Sequence, residues 1–389
     1  MPKTIEFDAE LIRRYDQSGP RYTSYPTAAS FSEKFTHDDY LNAASSSNDD
    51  PIPAPLSLYF HIPFCDTVCF YCACNKIVTK NYARADDYLN YLYREIALQA
   101  TFYDDDRIVE QLHWGGGTPT FLNRQDMQHL MQETRRYFHL RDDDNGDYSI
   151  EIDPRSVEPD DIRFLRELGF NRFSLGVQDV DEQVQKAVNR IQPVEKTQAI
   201  LQACRAVGVR SVNIDLIYGL PFQTVSSFTR TLDTIIDQSP DRISVFNYAH
   251  MPHVFKPQRR INEADLPAAQ IKLDILKLAI DKLISAGYVY IGMDHFARPD
   301  DELVQAQENG TLQRNFQGYT THGDCDLVAL GVSAISQVND VYSQNNKEMP
   351  AYQAAISAGR LPIVRGFKLD KDDLLRRALI QCLTCNFEI

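Results

Sequence analysis

The chain has 389 residues, 43% of them hydrophobic, and a formal net charge of −14. That is enough to bury one large core or two modest ones, and the acidic balance argues against a general nucleic-acid or membrane-surface binder. No apolar run approaches the roughly 20 residues of a bilayer span, and MPKTIEFDAELIRRYDQSGP at the start has neither an apolar centre nor a small-residue cleavage site. The expected compartment is therefore the cytoplasm, where thiols stay reduced.

The first stretch with little to bury is NAASSSNDDPIPAP, residues 42–55, rich in turn-forming residues. It reads as a linker that sets an N-terminal arm, 1–55, apart from the body. Then short apolar runs alternate with helical patterns. LSLYFHIPF (56–64) is strand-like and ADDYLNYLYREIALQA (85–100) has helical spacing. VEQLHWGGG (109–117) precedes a helix over 124–138, and YSIEID (148–153) one over 160–168. RFSLGVQ (172–178) precedes helices over 181–188 and 196–207. SVNIDLIYG (211–219) precedes one over 226–238, and RISVFNYAH (242–250) one over 270–287.

Six strand-then-helix units predict an α/β fold with a parallel sheet, because parallel strands need crossover connections. The strands read as nearly continuous apolar runs, as when both faces are covered. Six units are too few for a closed eight-stranded barrel, which leaves a doubly wound open sheet or a partial barrel. Either way the active site is expected at the C-terminal strand edge. The cysteine run, GGGTPT, Glu151, Gln178, Asp215 and Ala249 all fall at or near that edge.

CDTVCFYCACNK (65–76) holds Cys65, Cys69, Cys72 and Cys74, half of the eight cysteines. A structural zinc site usually draws on two short ligand pairs separated by a longer loop, whereas these four are crowded together. A buried set without metal fits poorly with the Asp and Asn among them. Thiolates two to four residues apart in one loop are typical iron–sulfur ligands.

The spacing C-x3-C-x2-C is the signature of the radical S-adenosylmethionine (radical SAM) enzymes, and YFHIPFCDTVCFYCACNKIVTK resembles the cysteine loop of the oxygen-independent coproporphyrinogen III oxidases, or coproporphyrinogen dehydrogenases. The resemblance covers nearly the whole chain, through SGPRYTSYPTA (18–28), QLHWGGGTPT, NRFSLGVQD, NIDLIYGLP, FNYAHMPH, GMDHFARPDDEL, RNFQGYTT and the terminal LTCNFEI. It implies a partial (β/α)6 barrel over 56–365. Cys65, Cys69 and Cys72 would ligate three irons of a [4Fe–4S] cluster, and the fourth iron would take the amino and carboxylate groups of S-adenosylmethionine. An electron from the cluster then yields a 5′-deoxyadenosyl radical. Cys74 would stay off the cluster, with hydrogen delivery or simple packing as its role.

By the same resemblance Gly116, Gly117 and Thr118 contact S-adenosylmethionine, flanked by Tyr59 and Ile335. Glu151 would accept from the two ribose hydroxyls, a salt bridge to a neighbouring strand being the plainer alternative. A second S-adenosylmethionine is implied beside Tyr71, Gln178, Arg190, Asp215 and Ala249; the family commonly shows Phe where Tyr71 stands. Four propionates on the substrate call for local cations: Arg21 first, then Arg298 and Arg314. His295 reads as an ordinary structural histidine.

The implied reaction is decarboxylation of two propionates of coproporphyrinogen III to vinyl groups, giving protoporphyrinogen IX in haem biosynthesis. A donor such as flavodoxin would supply the electron, and the protein would act as a monomer without nucleic acid or membrane. Family members extend past the point where this chain stops, so 366–389 is expected to begin a truncated helical C-terminal domain, which threatens turnover more than cluster binding. The competing readings are a haem chaperone of the same fold, which usually lacks the RYTSYPT arm and the fourth cysteine, and a zinc-binding structural protein.

Overall fold

The computed structural model describes residues 7–15 and 24–387. Six parallel strands form its centre: β1 (Leu56–Ile62), β2 (Ile108–Gly116), β3 (Asp147–Ile152), β4 (Arg172–Gln178), β5 (Ser211–Tyr218) and β6 (Arg242–Asn247). Each lies beside its predecessor, in the order 1-2-3-4-5-6. A doubly wound sheet reverses its strand order at a switch point. Here there is no reversal among the six, so every crossover runs the same way, as in a partial barrel.

The crossover helices are α2 (Ala83–Ala100), α3 (Arg124–Tyr137), α4 (Pro159–Glu167), α5 (Val194–Ala206) and α6 (Val225–Asp237), with α7 (Ala269–Ser285) after β6. Their starts are written in the sequence. The Asn123 side chain caps α3 by accepting from Asp126 N, Pro159 opens α4, and Thr224 and Ser227 form a capping box on α6. Their apolar stripes, with Leu89, Leu92, Leu130, Ile162 and Phe228, share one core with Phe60, Trp114, Ile150, Phe173 and Ile214 of the strands.

The strands are not the nearly continuous apolar runs expected from the sequence. Along β4, Phe173, Leu175 and Val177 are buried while Ser174, Gly176 and Gln178 are partly open; along β5, Val212, Ile214 and Leu216 alternate with Asn213, Asp215 and Ile217. One face packs on helices, and the other, polar face lines a lumen. The two faces differ because the lumen is a cavity and not a packed core.

On the other side of β1 lies β9 (Asp326–Leu330), parallel to it, followed by the antiparallel β10 (Ile335–Val338), β11 (Val341–Asn345) and β12 (Ile363–Lys368). Beyond β6 the sheet ends in two short antiparallel strands, β7 (Val289–Gly292) and β8 (His295–Ala297).

The segment 42–55, read as a linker, carries half of a helix, α1 (His37–Ser46). Thr36 and Asp39 close its capping box, a sequence signal in plain view. Tyr40 is fully buried and shares hydrogen bonds with Gln99 Oε1 (3.0 Å) and the Tyr103 hydroxyl (2.7 Å). Arg107 binds Ser47 Oγ, Asn48 Oδ1, Ala54 O and the Asp326 carboxylate. This part of the arm is packed into the body. The last helix, α8 (Lys371–Gln381), is capped by Asp370, and its Asp373 accepts from the Tyr25 hydroxyl at 2.7 Å.

Candidate active site

The cysteine loop leaves the C-terminal end of β1 and is clamped from several sides. Residues 64–65 pair with 77–78, Thr79 N donates to Cys65 O (3.0 Å), and His61 Nε2 meets Asn75 O (2.9 Å). Phe70 N donates to Val188 O, Asn189 Nδ2 to Val68 O, and Gln258 Nε2 to both Tyr71 O and Ala249 O. Cys69 is buried, Cys65 and Cys72 are half-buried and Cys74 is exposed. Burial pushes the Cys65 thiol up to about 11, with Thr118 Oγ1 at 3.4 Å. A hydrogen bond from Cys74, aided by Lys76, pulls Cys72 down to about 6, and the same bond raises Cys74.

Strand β2 ends on the three glycines, and two of them are needed there. Gly116 has φ +120, and a Cβ on it would lie 2.8 Å from the His61 ring; a Cβ on Gly117 would lie 2.7 Å from the Pro63 carbonyl carbon. Only a bare backbone can come this close to the cysteine loop. Gly117 N donates to Ile62 O, and Gly116 N donates to Glu151 Oε2 at 3.1 Å. The other Glu151 oxygen lies 3.6 Å from His113 Nε2, and the His113 ring stacks on Tyr59 at 5.7 Å.

At the ends of β3 and β4 sits a charge cluster. Arg190 Nη1 and Nη2 donate to the two Asp153 oxygens, each at 3.2 Å, and Nη2 also reaches Gly176 O. Arg155 closes on the same carboxylate at 2.6 Å. Burial works to raise the Asp153 pKa, but the two guanidiniums hold it below the ordinary carboxylate value. Asp215 accepts from Asn213 Nδ2 (2.7 Å) and Ser174 Oγ (3.0 Å), and burial pushes it up to about 6.

One cavity of about 360 Å³ gathers most of the expected residues: Cys65, Cys69, Cys72, Cys74, Tyr71, Gly116, Gly117, Thr118, Glu151, Gln178, Arg190 and Asp215 all line it. It continues past Glu151, Ser174 and Asp215 into a second space of about 240 Å³ deeper in the barrel. Three expected residues among the described ones are not on its wall. Tyr59 stands one ring behind, its hydroxyl 3.0 Å from His61 Nδ1. Ala249 is tied beside Tyr71 through Gln258. Ile335 sits on β10 in a small cluster with Phe31 and Tyr342. Arg21 lies outside the described residues.

Neither of the weaker cation candidates lines the cavity at the cysteine loop, but Arg314 stands against Tyr319 on the wall of the second space. Arg298 donates its backbone N–H to Asp241 O, just before β6 begins, at the opposite end of the strands. Arg314 stacks over the Tyr319 ring at 4.6 Å. His295 lines the second space; its Nδ1 meets Met293 O at 2.8 Å, and burial lowers its pKa to about 4. Arg155 and Lys76, both on the cavity wall, escaped notice. Neither spacing nor alternation marks them; Asp153, two residues from Glu151 on the same strand face, was the one visible pointer.

The residues fit an iron–sulfur cluster with a nucleoside-bearing cation beside it. Three thiols share one loop at the cavity wall, and among the described residues Gln178 Oε1 and Arg190 Nε are buried without a hydrogen-bond partner. Buried polar atoms are rarely left so unless something else satisfies them.

Comparison with known proteins agrees. Residues 59–235 match the radical SAM superfamily. The oxygen-independent coproporphyrinogen III oxidase of Pseudomonas aeruginosa is 57% identical over 389 residues, 100% of this chain and 84% of that protein. The Salmonella typhimurium protein of the same name is 52% identical over 99% of this chain and 83% of its own length. Among solved structures, coproporphyrinogen III oxidase (HemN) from Escherichia coli, a radical SAM enzyme, superposes with a TM-score of 0.93 at 50% identity, covering 99% of this chain and 86% of that one. With identity this high along the whole chain, and the cysteine loop, glycine turn and carboxylates meeting at one cavity, the chain belongs to the oxygen-independent coproporphyrinogen III oxidases of the radical SAM superfamily.

Proposed function

We propose that this chain carries out the reaction of its family: oxidative decarboxylation of two propionates of coproporphyrinogen III to vinyl groups, giving protoporphyrinogen IX without oxygen. The observation that carries the reading is the convergence of Cys65, Cys69 and Cys72 with Gly116–Thr118 and Glu151 on one cavity. When bound, the [4Fe–4S] cluster and S-adenosylmethionine supply one-electron cleavage and hydrogen abstraction, chemistry that no side chain provides.

The protein's part is to hold, orient and keep water away. Cys65, Cys69 and Cys72 are the proposed cluster ligands. Gly116 and Gly117 let the β2 backbone come close to the cysteine loop and would line the S-adenosylmethionine site with Thr118. Glu151, already held by Gly116 N, has an oxygen left to accept from ribose hydroxyls. Asp215 offers a carboxylate to a cation, and Gln178 and Arg190 offer unpaired polar atoms. Tyr59 backs His113, which keeps Glu151 in place. A second S-adenosylmethionine would extend into the space shared by Ser174 and Asp215. Cys74, hydrogen-bonded to Cys72, would deliver hydrogen, with simple packing as the alternative. Arg21 is the proposed propionate contact. The domain division belongs to the same reading, except that β12 carries the body past 365 to Lys368 and the helical segment starts at Lys371; so do a flavodoxin-like electron donor, a monomer and a cytoplasmic setting. No helix among the described residues is long and apolar enough to cross a membrane.

The test is an anaerobic assay of the reconstituted protein with a reductant, S-adenosylmethionine and coproporphyrinogen III, following 5′-deoxyadenosine and vinyl product together. Both are expected. Stoichiometric haem binding with neither product would overturn the reading in favour of the chaperone.

A further inference from the structure

Cys69 differs from the other two proposed ligands in its surroundings. It is the buried one, and two guanidiniums point at its sulfur: Arg155 Nη2 at 3.6 Å and Arg190 Nη1 at 3.7 Å. Both distances suit N–H donation to sulfur, which is larger than oxygen. The two arginines are themselves locked. Arg155 makes a forked pair with Asp153, Nε to Oδ1 (3.0 Å) and Nη2 to Oδ2 (2.6 Å), and Arg190 holds the same carboxylate from the other side. Asp153 in turn caps the turn 154–156 through Arg155 N. Two cations against one anion leave net positive charge on one sulfur. Cys65 has a threonine hydroxyl at 3.4 Å, and Cys72 a neighbouring thiol and the single Lys76 ammonium, where Cys69 has two guanidiniums.

We infer that Arg155, with Arg190, is a positioning residue that donates to the Cys69 thiolate and raises the reduction potential of the cluster, and that Asp153 sets how strongly it does so. The inference rests on the proposed cluster site. Reduction adds one negative charge to the cluster and its thiolates. Hydrogen bonds and positive charge at a ligand sulfur favour that state, and these are the levers by which a protein tunes an iron–sulfur potential. Inside a water-poor cavity they act at low dielectric and are felt strongly. Arg155 is the better probe of the two, because Arg190 also bonds Gly176 O and keeps a buried atom for another ligand.

The experiment is an electron paramagnetic resonance redox titration of the anaerobically reconstituted chain, with iron and sulfide counted in each sample. Arg155→Gln removes the charge and keeps the length; Arg155→Lys keeps the charge with a single donor point; Asp153→Asn removes the opposing charge. Arg155→Gln is expected to lower the ratio of reduced to oxidised cluster about tenfold at fixed ambient potential, a midpoint about 59 mV more negative for a one-electron couple. Arg155→Lys should recover part of this, and Asp153→Asn should shift the other way. Opposite signs from two residues that share one ion pair are not what a loss of packing would give.

An unchanged midpoint in Arg155→Gln at full cluster loading overturns the inference. So does a shift of the same sign in Arg155→Gln and Asp153→Asn, or a change in S-adenosylmethionine affinity alone. If Arg155→Gln fails to hold a cluster, the direction found in Asp153→Asn decides. A wild-type chain that takes up no [4Fe–4S] cluster would instead overturn the site itself, and the two failures are told apart by the iron count.

Discussion

Gly331 and Tyr88 meet so closely that a Cβ on the glycine would lie 2.3 Å from the tyrosine hydroxyl. That hydroxyl donates to His61 O (2.7 Å) and accepts from Val332 N (3.3 Å). Helix α2 thus bolts the turn after β9 to the end of β1, two residues before the cysteine loop starts. Gly331 also has φ +98, which adds backbone strain to any replacement. Gly331→Ala is expected to destabilise the protein by about 2 kcal/mol or more and to lower iron retention, read by urea unfolding and iron analysis.

Two turns further along α2, Glu95 is fully buried and accepts from Gly331 N (2.8 Å), Asn345 Nδ2 (2.7 Å) and the Tyr352 hydroxyl (2.6 Å). Burial raises its pKa to about 7, only partly offset by those bonds. Between the unfolded carboxylate value, near 4.5, and 7 the folded state binds the extra proton, so this group's contribution to stability falls as pH rises through that window. Glu95→Gln should remove the slope: the wild type exceeds the variant by more at pH 5 than at pH 7.5. A cost of about 1–3 kcal/mol remains from the misplaced amide. Denaturant titrations at the two pH values give the comparison.

Cysteine substitutions separate ligands from neighbours. Cys65→Ser, Cys69→Ser and Cys72→Ser are expected to lose most of the reconstituted iron. Cys74→Ser is expected to keep a full complement of iron and sulfide and to lose vinyl product. Loss of the cluster in Cys74→Ser would make it a fourth ligand and close the open iron.

Asp215 faces the cavity and is pushed up to about 6 by burial. It is mostly protonated at pH 5 and mostly ionised at pH 7, so a cation beside it is held better at the higher pH. S-adenosylmethionine should bind about tenfold more tightly at pH 7 than at pH 5 if one such carboxylate governs the site. Asp215→Asn should bind at the weaker level at both. Equilibrium dialysis with the reconstituted protein would decide, and an unaltered pH dependence in the variant would take Asp215 out of the site.

What was legible followed from local rules. The six parallel strands and their helices announce themselves by period and punctuation, and the observed bounds lie within a few residues of the expected ones. The cysteine spacing and the glycines are local strings, and Glu151 is a charge inside an apolar strand. The inward polar rows were less visible, because Gly176 and Ser174 interrupt an otherwise apolar run only weakly. Helix α1 was hidden by its own composition: HDDYLNAASS offers Tyr40 and two alanines to the core, too little apolar area to stand out from a linker. It is held by Tyr103 and Arg107, 59 to 63 residues from their partners. The Asp153–Arg155–Arg190 cluster needs the ends of β3 and β4 brought together, which no local pattern records. The strands after 288 are short; β9 pairs in parallel with β1 far back in the chain, and the others pair antiparallel, so they carry neither the length nor the period of the first six.

The pairing of β9 with β1 has a consequence for synthesis. Strands β1 to β6 emerge from the ribosome in the order in which they sit in the sheet, so each can dock on the last. The outer edge of β1 cannot be finished that way. Its partner, Asp326–Leu330, is translated roughly 260 residues after Ile62, a delay of about 13 to 50 s at ordinary elongation rates. For that time a growing sheet shows an open, apolar edge right next to four reactive thiols, the kind of edge that pairs with a neighbouring chain. Only when Asp326–Leu330 docks on β1 is that edge closed.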